Sequence, residues 1–147
     1  MHRDFTYPAT LTPDETDGGY VVTFRDVPEA ITQGQDLQDA LAQAADALEE
    51  AVSGRLRLGE DIPIPSALRR DETLVPVPAL TAAKAALHLA LRQEGLSKSE
   101  LAARLECDEK EVRRLLDPRH RSKLPRLQAA LSVLGRRVAL RLLDEAA

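Results

Sequence analysis

The chain has 147 residues, 44% of them apolar, and a formal net charge of −4, enough for a real core in one domain or two small ones. Its single cysteine excludes an internal disulfide framework and suits a reducing compartment. It holds no apolar run of about 18 residues, which excludes a membrane-spanning helix, and no apolar segment follows Met1-His2-Arg3-Asp4 as it would in a secretory signal, so a cytoplasmic protein is expected.

Phe5, Tyr7, Ala9 and Leu11 alternate with Thr6, Pro8, Thr10 and Thr12, the period-two pattern of a half-buried strand. Residues 14–19, Asp-Glu-Thr-Asp-Gly-Gly, read as a turn, because Gly accepts positive φ at little steric cost. Tyr20, Val22 and Phe24 then alternate with Val21 and Thr23, giving a second strand and a hairpin, which Pro28 ends. Ala30-Ile31-Thr32-Gln33 fits a third short strand before Gly34. Asp36 is placed to cap a helix whose stripe is Leu37, Leu41, Ala44, Ala45, Leu48, Val52 and Leu56, with Gly59 as its stop. Asp39, Asp46, Glu49 and Glu50 fall largely off that stripe, so this helix is expected to cover one face of the sheet and turn an acidic side to water. Ile62-Pro63-Ile64-Pro65-Ser66 is held extended by its prolines, and Leu74-Val75-Pro76-Val77-Pro78 is an edge strand or a linker, since Pro cannot donate within a sheet. The composition changes there, which gives two domains, 1–80 and 81–147.

Thr81 is expected to cap an Ala/Leu-rich helix that runs to about Glu94 and ends at Gly95. Ser97 with Glu100 three residues on is a capping box, and Asp108 with Glu111 is a second helix start. Leu101, Ala102 and Leu105, then Val112, Leu115 and Leu116, supply two buried faces across the short turn Glu106-Cys107. Many such turns carry Gly where Glu106 stands, so this one must be made another way. Two short capped helices followed by the basic loop 117–123 form the pattern of a helix-turn-helix, whose second helix enters the DNA major groove. The candidate DNA-binding residues are Lys98, Lys110, Arg113, Arg114, Arg119, Arg121 and Lys123. Such side chains neutralise phosphates, and Arg pairs bidentately with guanine. Glu109 opposes this unless it reads a cytosine amine, and the plainer alternative is a packed helix pair with a solvated basic loop. Leu124 to Leu134 reads as a further helix that Gly135 stops. In the tail 137–142, the alternation of Val138, Leu140 and Leu142 suits a strand while propensity suits a helix. A strand there would need a partner, and so would pair across a dimer.

Charge separates the two parts. Residues 1–80 carry 6 Lys and Arg against 15 Asp and Glu, and residues 81–147 carry 14 against 9. The first half therefore suits a basic partner and the second a polyanion. All four aromatic residues, Phe5, Tyr7, Tyr20 and Phe24, lie in the first part, so the second must pack with Leu, Ala and Val. No catalytic site emerges. His2, His88 and His120 are scattered and give no zinc spacing with Cys107, and no phosphate-binding glycine loop occurs. His88, among leucines, reads as structural. Asp14, Asp17 and Asp26 lie in or beside turns, where Asp is common, so neither a metal nor a cofactor is expected.

Taken in order, Tyr7-Pro8-Ala9, Asp17-Gly18-Gly19-Tyr20-Val21-Val22-Thr23-Phe24, Asp26-Val27-Pro28, Thr32-Gln33-Gly34, Asp39-Ala40-Leu41 and Ile62-Pro63-Ile64-Pro65-Ser66 resemble the N-terminal domain of HicB antitoxins. Leu96 to Leu134 is similar to the helix-turn-helix of the HicB members that end in one. The resemblance implies an α+β protein: a small, degenerate RNase H-like sheet-plus-helix domain, then an all-α DNA-binding domain. It implies that the first domain blocks a HicA-type mRNA-cleaving toxin by steric and electrostatic occlusion. It further implies that the second domain represses the operon at operator double-stranded DNA, and that the chain forms a homodimer or larger assembly. Asp17, Tyr20, Asp26 and Glu29, from the acidic hairpin and its exit, are the candidate toxin contacts. Two other readings stay open: a stand-alone repressor, and an RNase H-like nuclease with Asp4 and Asp26 as remnants of a two-metal site.

Overall fold

The computed structural model describes residues 3–145. The hairpin forms as the alternation predicts, from β1 (Thr6–Pro13) and β2 (Tyr20–Thr23). Its turn closes through Asp14, whose N–H donates to Gly19 O at 2.9 Å and whose Oδ1 accepts the N–H groups of Thr16 and Asp17. β3 (Ile31–Gly34) pairs with β2, and β4 (Glu72–Pro76) pairs with the other side of β1. The sheet order is β3-β2-β1-β4, antiparallel throughout. The proline-bearing segment is thus an edge strand, as a missing N–H requires.

Register decides which face is buried. Tyr7 lies opposite Val75 and Leu11 opposite Val22, and these residues turn to the face covered by α1 (Leu37–Leu58). Asp36 caps α1 by accepting the Asp39 N–H at 2.8 Å, and Gly59 ends it. The buried stripe is Ala40, Ala44, Leu48, Val52 and Leu56, whereas Leu37 is 43% exposed. This corrects the expected stripe at its first turn. The reason is the approach of helix to sheet: a Cβ on Gly34 would lie 2.3 Å from Ala40 N, so β3 seats the small Ala40 and turns Leu37 outward.

Residues 59–71 have almost no regular structure and are held from a distance. The Tyr7 hydroxyl and the Arg3 guanidinium both donate to Pro63 O, at 2.6 and 2.8 Å. Arg25 donates to Ala67 O, and Asp26 accepts both the N–H and the hydroxyl of Ser66.

α2 (Ala79–Glu94) begins two residues before the expected cap. Pro78 precedes the helix with no side-chain cap, and Thr81 lies inside it, donating to Glu49 Oε2 on α1 at 3.0 Å. Ala85 joins the core beneath the sheet, while Ala83, Leu87, Ala90 and Leu91 join a second core. α2 is therefore apolar on two sides, as a helix shared between cores must be. Arg92 strengthens the junction by donating to Asp61 Oδ1 and to Gly59 O.

The second core is closed by α3 (Lys98–Leu105), α4 (Glu109–Leu116) and α5 (Leu124–Val133), around Leu101, Val112, Leu115, Leu127 and Leu131. From Arg136 to Glu145 the chain is neither helix nor strand, and Leu142 is 94% exposed. The strand that its alternation suggested is therefore not formed. Among the described residues, no helix is long and apolar enough to cross a membrane.

Candidate functional site

Two surfaces of opposite charge stand out, one on each half. The basic one is built on α3, α4 and the loop after them. Ser97 and Glu100 form the full capping box, with Ser97 Oγ accepting the Glu100 N–H at 3.1 Å and Glu100 Oε1 accepting the Ser97 N–H at 3.2 Å. Asp108 accepts the Glu111 N–H at 2.9 Å and starts α4. Between them Glu106 adopts the left-handed conformation, φ 55°, and is the one non-glycine residue with positive φ among the described residues. Glu106 thus makes the turn that Gly makes elsewhere.

All seven residues expected to bind DNA are exposed: Lys98 at the start of α3, Lys110, Arg113 and Arg114 on α4, and Arg119, Arg121 and Lys123 in the loop. Ser99 Oγ donates to Glu109 at 3.0 Å, which ties the start of α3, next to Lys98, to the first turn of α4. Two acidic residues on α4 are answered locally. Glu109 lies 3.7 Å from Arg113, and Glu111 lies 3.1 Å from Arg126 of α5. Asp117 does the same for Arg119 and also accepts the Arg119 N–H; these bonds hold its carboxyl below the usual range. Arg126 and Lys84 are the two cations that sequence reasoning missed. Lys84 carried a signal: Leu80, Lys84, Leu87 and Leu91 recur at four, three and four residues, which puts it on the buried stripe. It is 1% exposed, and its ammonium donates to Arg114 O at 2.9 Å and to Ser122 Oγ at 2.8 Å.

The acidic half does not gather its four candidate residues in one place. Gly34 is the partner of Tyr20 and Ile31 the partner of Thr23, so Asp17 and Tyr20 lie at one end of the β2–β3 ladder and Asp26 and Glu29 beyond the other. Asp17 and Asp39 border an open hollow of about 540 Å³ at the hairpin end. Glu29 borders another, of about 470 Å³, between β3 and α1, with Ile31, Ala47, Glu50, Ala51 and Leu58. Ile31 and Leu58 are exposed there, giving an apolar floor with Glu29, Glu50, Glu60 and Arg55 around it. Glu29 also receives Arg55 Nε at 2.6 Å, which holds its carboxyl below the usual range. Tyr20 is half-buried and packs against the first core. Asp26 holds Ser66 through both its oxygens.

The remaining ionisable groups have structural partners or none. Asp4 lies 3.3 Å from Arg141. His88 Nε2 is buried without a hydrogen-bond partner, and burial, with help from Arg92, lowers its pKa and favours the neutral ring. No group of three His, Cys, Asp or Glu able to hold a metal ion occurs among the described residues.

Residues 6–86 match the family described as "HicB_like antitoxin of bacterial toxin-antitoxin system". The chain is 38% identical to "Antitoxin HicB" of Escherichia coli strain K12 over 134 residues, which is 91% of this chain and 96% of that protein. It is 37% identical to "Antitoxin HicB 1" of Photorhabdus laumondii subsp. laumondii, covering 94% and 87% of the two chains. It is 36% identical to "Antitoxin HicB" of Pseudomonas fluorescens, covering 95% and 97%.

Proposed function

Since the chain belongs to the HicB-like antitoxin family, we propose that it binds and neutralises a HicA-type mRNA-cleaving toxin through residues 1–80 and represses its own operon through residues 81–147. The observation that carries this reading is that the likeness to antitoxins runs through both halves of the chain, the acidic and the basic alike. In the first half, occlusion needs no chemistry. The hollow with Ile31 and Leu58 on its floor and Glu29 and Glu50 beside it suits a basic surface with an apolar centre. Asp26 lies near that hollow, while Asp17 and Tyr20, at the other end of the β2–β3 ladder, offer a second contact region. In the second half, α3 and α4 act as a helix-turn-helix. Lys110, Arg113 and Arg114 face the major groove, while Lys98, Arg119, Arg121 and Lys123 take phosphates. The exposed apolar tail around Leu140 and Leu142 pairs with its copy in a dimer. Both partners place the protein in the cytoplasm.

The test is to mix the chain with its HicA-type toxin and follow both complex formation and mRNA cleavage. A stable complex that stops cleavage is expected. Replacing Arg113 and Arg114 by Ala should leave that inhibition unchanged and weaken operator binding at least about thirtyfold, at about 1–3 kcal/mol for each base-reading Arg. Absence of a complex would leave a stand-alone repressor, and Mg²⁺-dependent cleavage by this chain alone would make it a nuclease.

A further inference from the structure

We infer that Lys84, which lies behind the DNA-facing surface, is a positioning residue: it pins the basic loop 117–123 to the end of α4 and so sets how many phosphates the surface engages. This rests on the DNA-binding reading above.

The argument starts from burial. A lysine is almost never enclosed unless its charge is partnered. Lys84 is enclosed between Ala83 and Ala85 on α2, and its partners are specific. One is Arg114 O, a carbonyl in the last turn of α4. It already accepts the Asp117 N–H at 3.2 Å, but it also carries the negative end of the helix dipole, so a cation is a second partner that suits it. The other is Ser122 Oγ, which also lies 3.3 Å from Arg114 O and 3.2 Å from His120 Nδ1. The ammonium, the helix end and the loop therefore meet at one point, with the Asp117 carboxylate near enough to favour the charged form against burial.

Apart from this tie the loop is held at its two ends, by Asp117 N–H on α4 and Lys123 O on α5, and between them by bonds of short span: Arg119 to Asp117 Oδ1, His120 N–H to Asp117 O and Ser122 N–H to His120 O. Ser122 is the partly buried residue between Arg121 and Lys123, both exposed. Fixing Ser122 from inside therefore fixes where its two cationic neighbours emerge. Arg113 and Arg114 precede the same helix end, so one buried charge aligns the α4 cations with the loop cations. A preorganised loop does not have to be ordered when DNA arrives. A released loop does, and it engages fewer phosphates.

The experiment uses the full chain and a duplex covering the DNA immediately upstream of its own gene, with affinity measured across a salt series. Each phosphate contact contributes about 0.9 to the slope of log K against log salt. Lys84→Met nearly keeps the length and removes the charge, and Ser122→Ala removes the loop's half of the tie, its bond to Lys84 and its bond to Arg114 O. Both should reduce the slope, by up to about 2.7 if all three loop cations disengage, and both should lower affinity most at low salt. Replacing Arg119, Arg121 and Lys123 by Ala should reduce the slope of the wild type but hardly change that of Lys84→Met. A residue that only stabilised the fold would change the active fraction equally at every salt and leave the slope alone. Should Lys84→Met fail to fold, Ser122→Ala decides the matter by itself. A wild-type slope in Ser122→Ala, or in folded Lys84→Met, overturns the inference. A wild type that does not bind the duplex at all overturns the DNA-binding reading beneath it.

Discussion

The sheet half and the helical half secure their irregular backbone in different ways. In the sheet half the long segment 59–71 is fixed by side chains from far away in sequence: Arg3 and Tyr7 at Pro63, Arg25 at Ala67, and Asp26 at Ser66. In the helical half most ends are closed by near neighbours: Ser97 with Glu100, Asp108 with Glu111, and glycines at 95 and 135. Long-range closure makes a segment as stable as the whole core and no more. Local closure lets each helix end be adjusted singly. A domain with a long irregular segment gains rigidity from the first arrangement, whereas a surface of short helices gains tunability from the second. Lys84, and Arg136 where it donates to Glu94 and Gln93, are places where the helical half borrows the first method.

The largest expected effect tests whether the halves fail separately. Leu48 is fully buried at the middle of α1. Leu48→Ala should destabilise the sheet half by about 2–5 kcal/mol, from lost transfer energy and the cavity left behind. Hydrogen exchange should then show faster opening in the sheet and in 59–71, with α3 and α4 keeping their protection. Equal loss in both halves would mean that α2, which contributes to both cores, makes them one cooperative unit.

What could be read in the sequence follows the same division. The caps at Asp36, Ser97 and Asp108, the stops at Gly59, Gly95 and Gly135, and the proline edge strand are local signals, and all appear in the structure. The misreadings came from contacts between distant elements. Leu37 gave way to Ala40 because β3 approaches α1 at Gly34, and Thr81 is drawn to Glu49 rather than capping α2. The exposure of Lys98, Lys110, Arg113 and Arg114 was legible from helical spacing, and that of Arg119, Arg121 and Lys123 from the basic loop that carries them. The partners of Glu109 and Glu111 were not, since Ser99 and Arg126 come from other helices. The tail around Leu140 stayed ambiguous because alternation and propensity point to different structures, and it forms neither helix nor strand.

Acid should separate the halves more gently. Glu72 receives Arg25 Nε and Nη2 at 2.7 and 2.9 Å, and the pair holds its pKa down to about 2. A carboxylate with a depressed folded pKa contributes stability above its ordinary value near 4.5, and loses it as the pH falls towards 2. His88 shifts the other way in charge. Its burial lowers the folded pKa below 6.5, so the unfolded chain takes up the proton first and stability falls as the pH drops below about that value. Denaturation curves at a series of pH values should therefore show an early loss that His88→Gln removes, and a later one, below about pH 4.5, that Glu72→Gln reduces, the rest belonging to carboxylates such as Glu29 and Asp117. Loss of the early phase in Glu72→Gln would show that the two groups report on one shared junction.

The smallest effect is the sharpest test of local closure. Glu106 and Gly95 occupy equivalent positions, each just past a helix and each left-handed, at φ 55° and 63°. For an L-residue that conformation costs about 1–2 kcal/mol, which Gly avoids at the expense of a freer unfolded chain. Glu106→Gly should therefore raise stability by about 0.5 kcal/mol, the strain relieved less the added unfolded-state entropy. Gly95→Ala should lower it by about 1 kcal/mol on the same account. Nothing lies within 4 Å of a Cβ built at Gly95, so crowding cannot be the cause of that loss. Thermal unfolding of the two variants should then move in opposite directions. If Glu106→Gly destabilised instead, the Glu106 side chain would have to contribute more to the turn than its strained backbone takes away, and the α3–α4 turn would be held by more than its immediate neighbours.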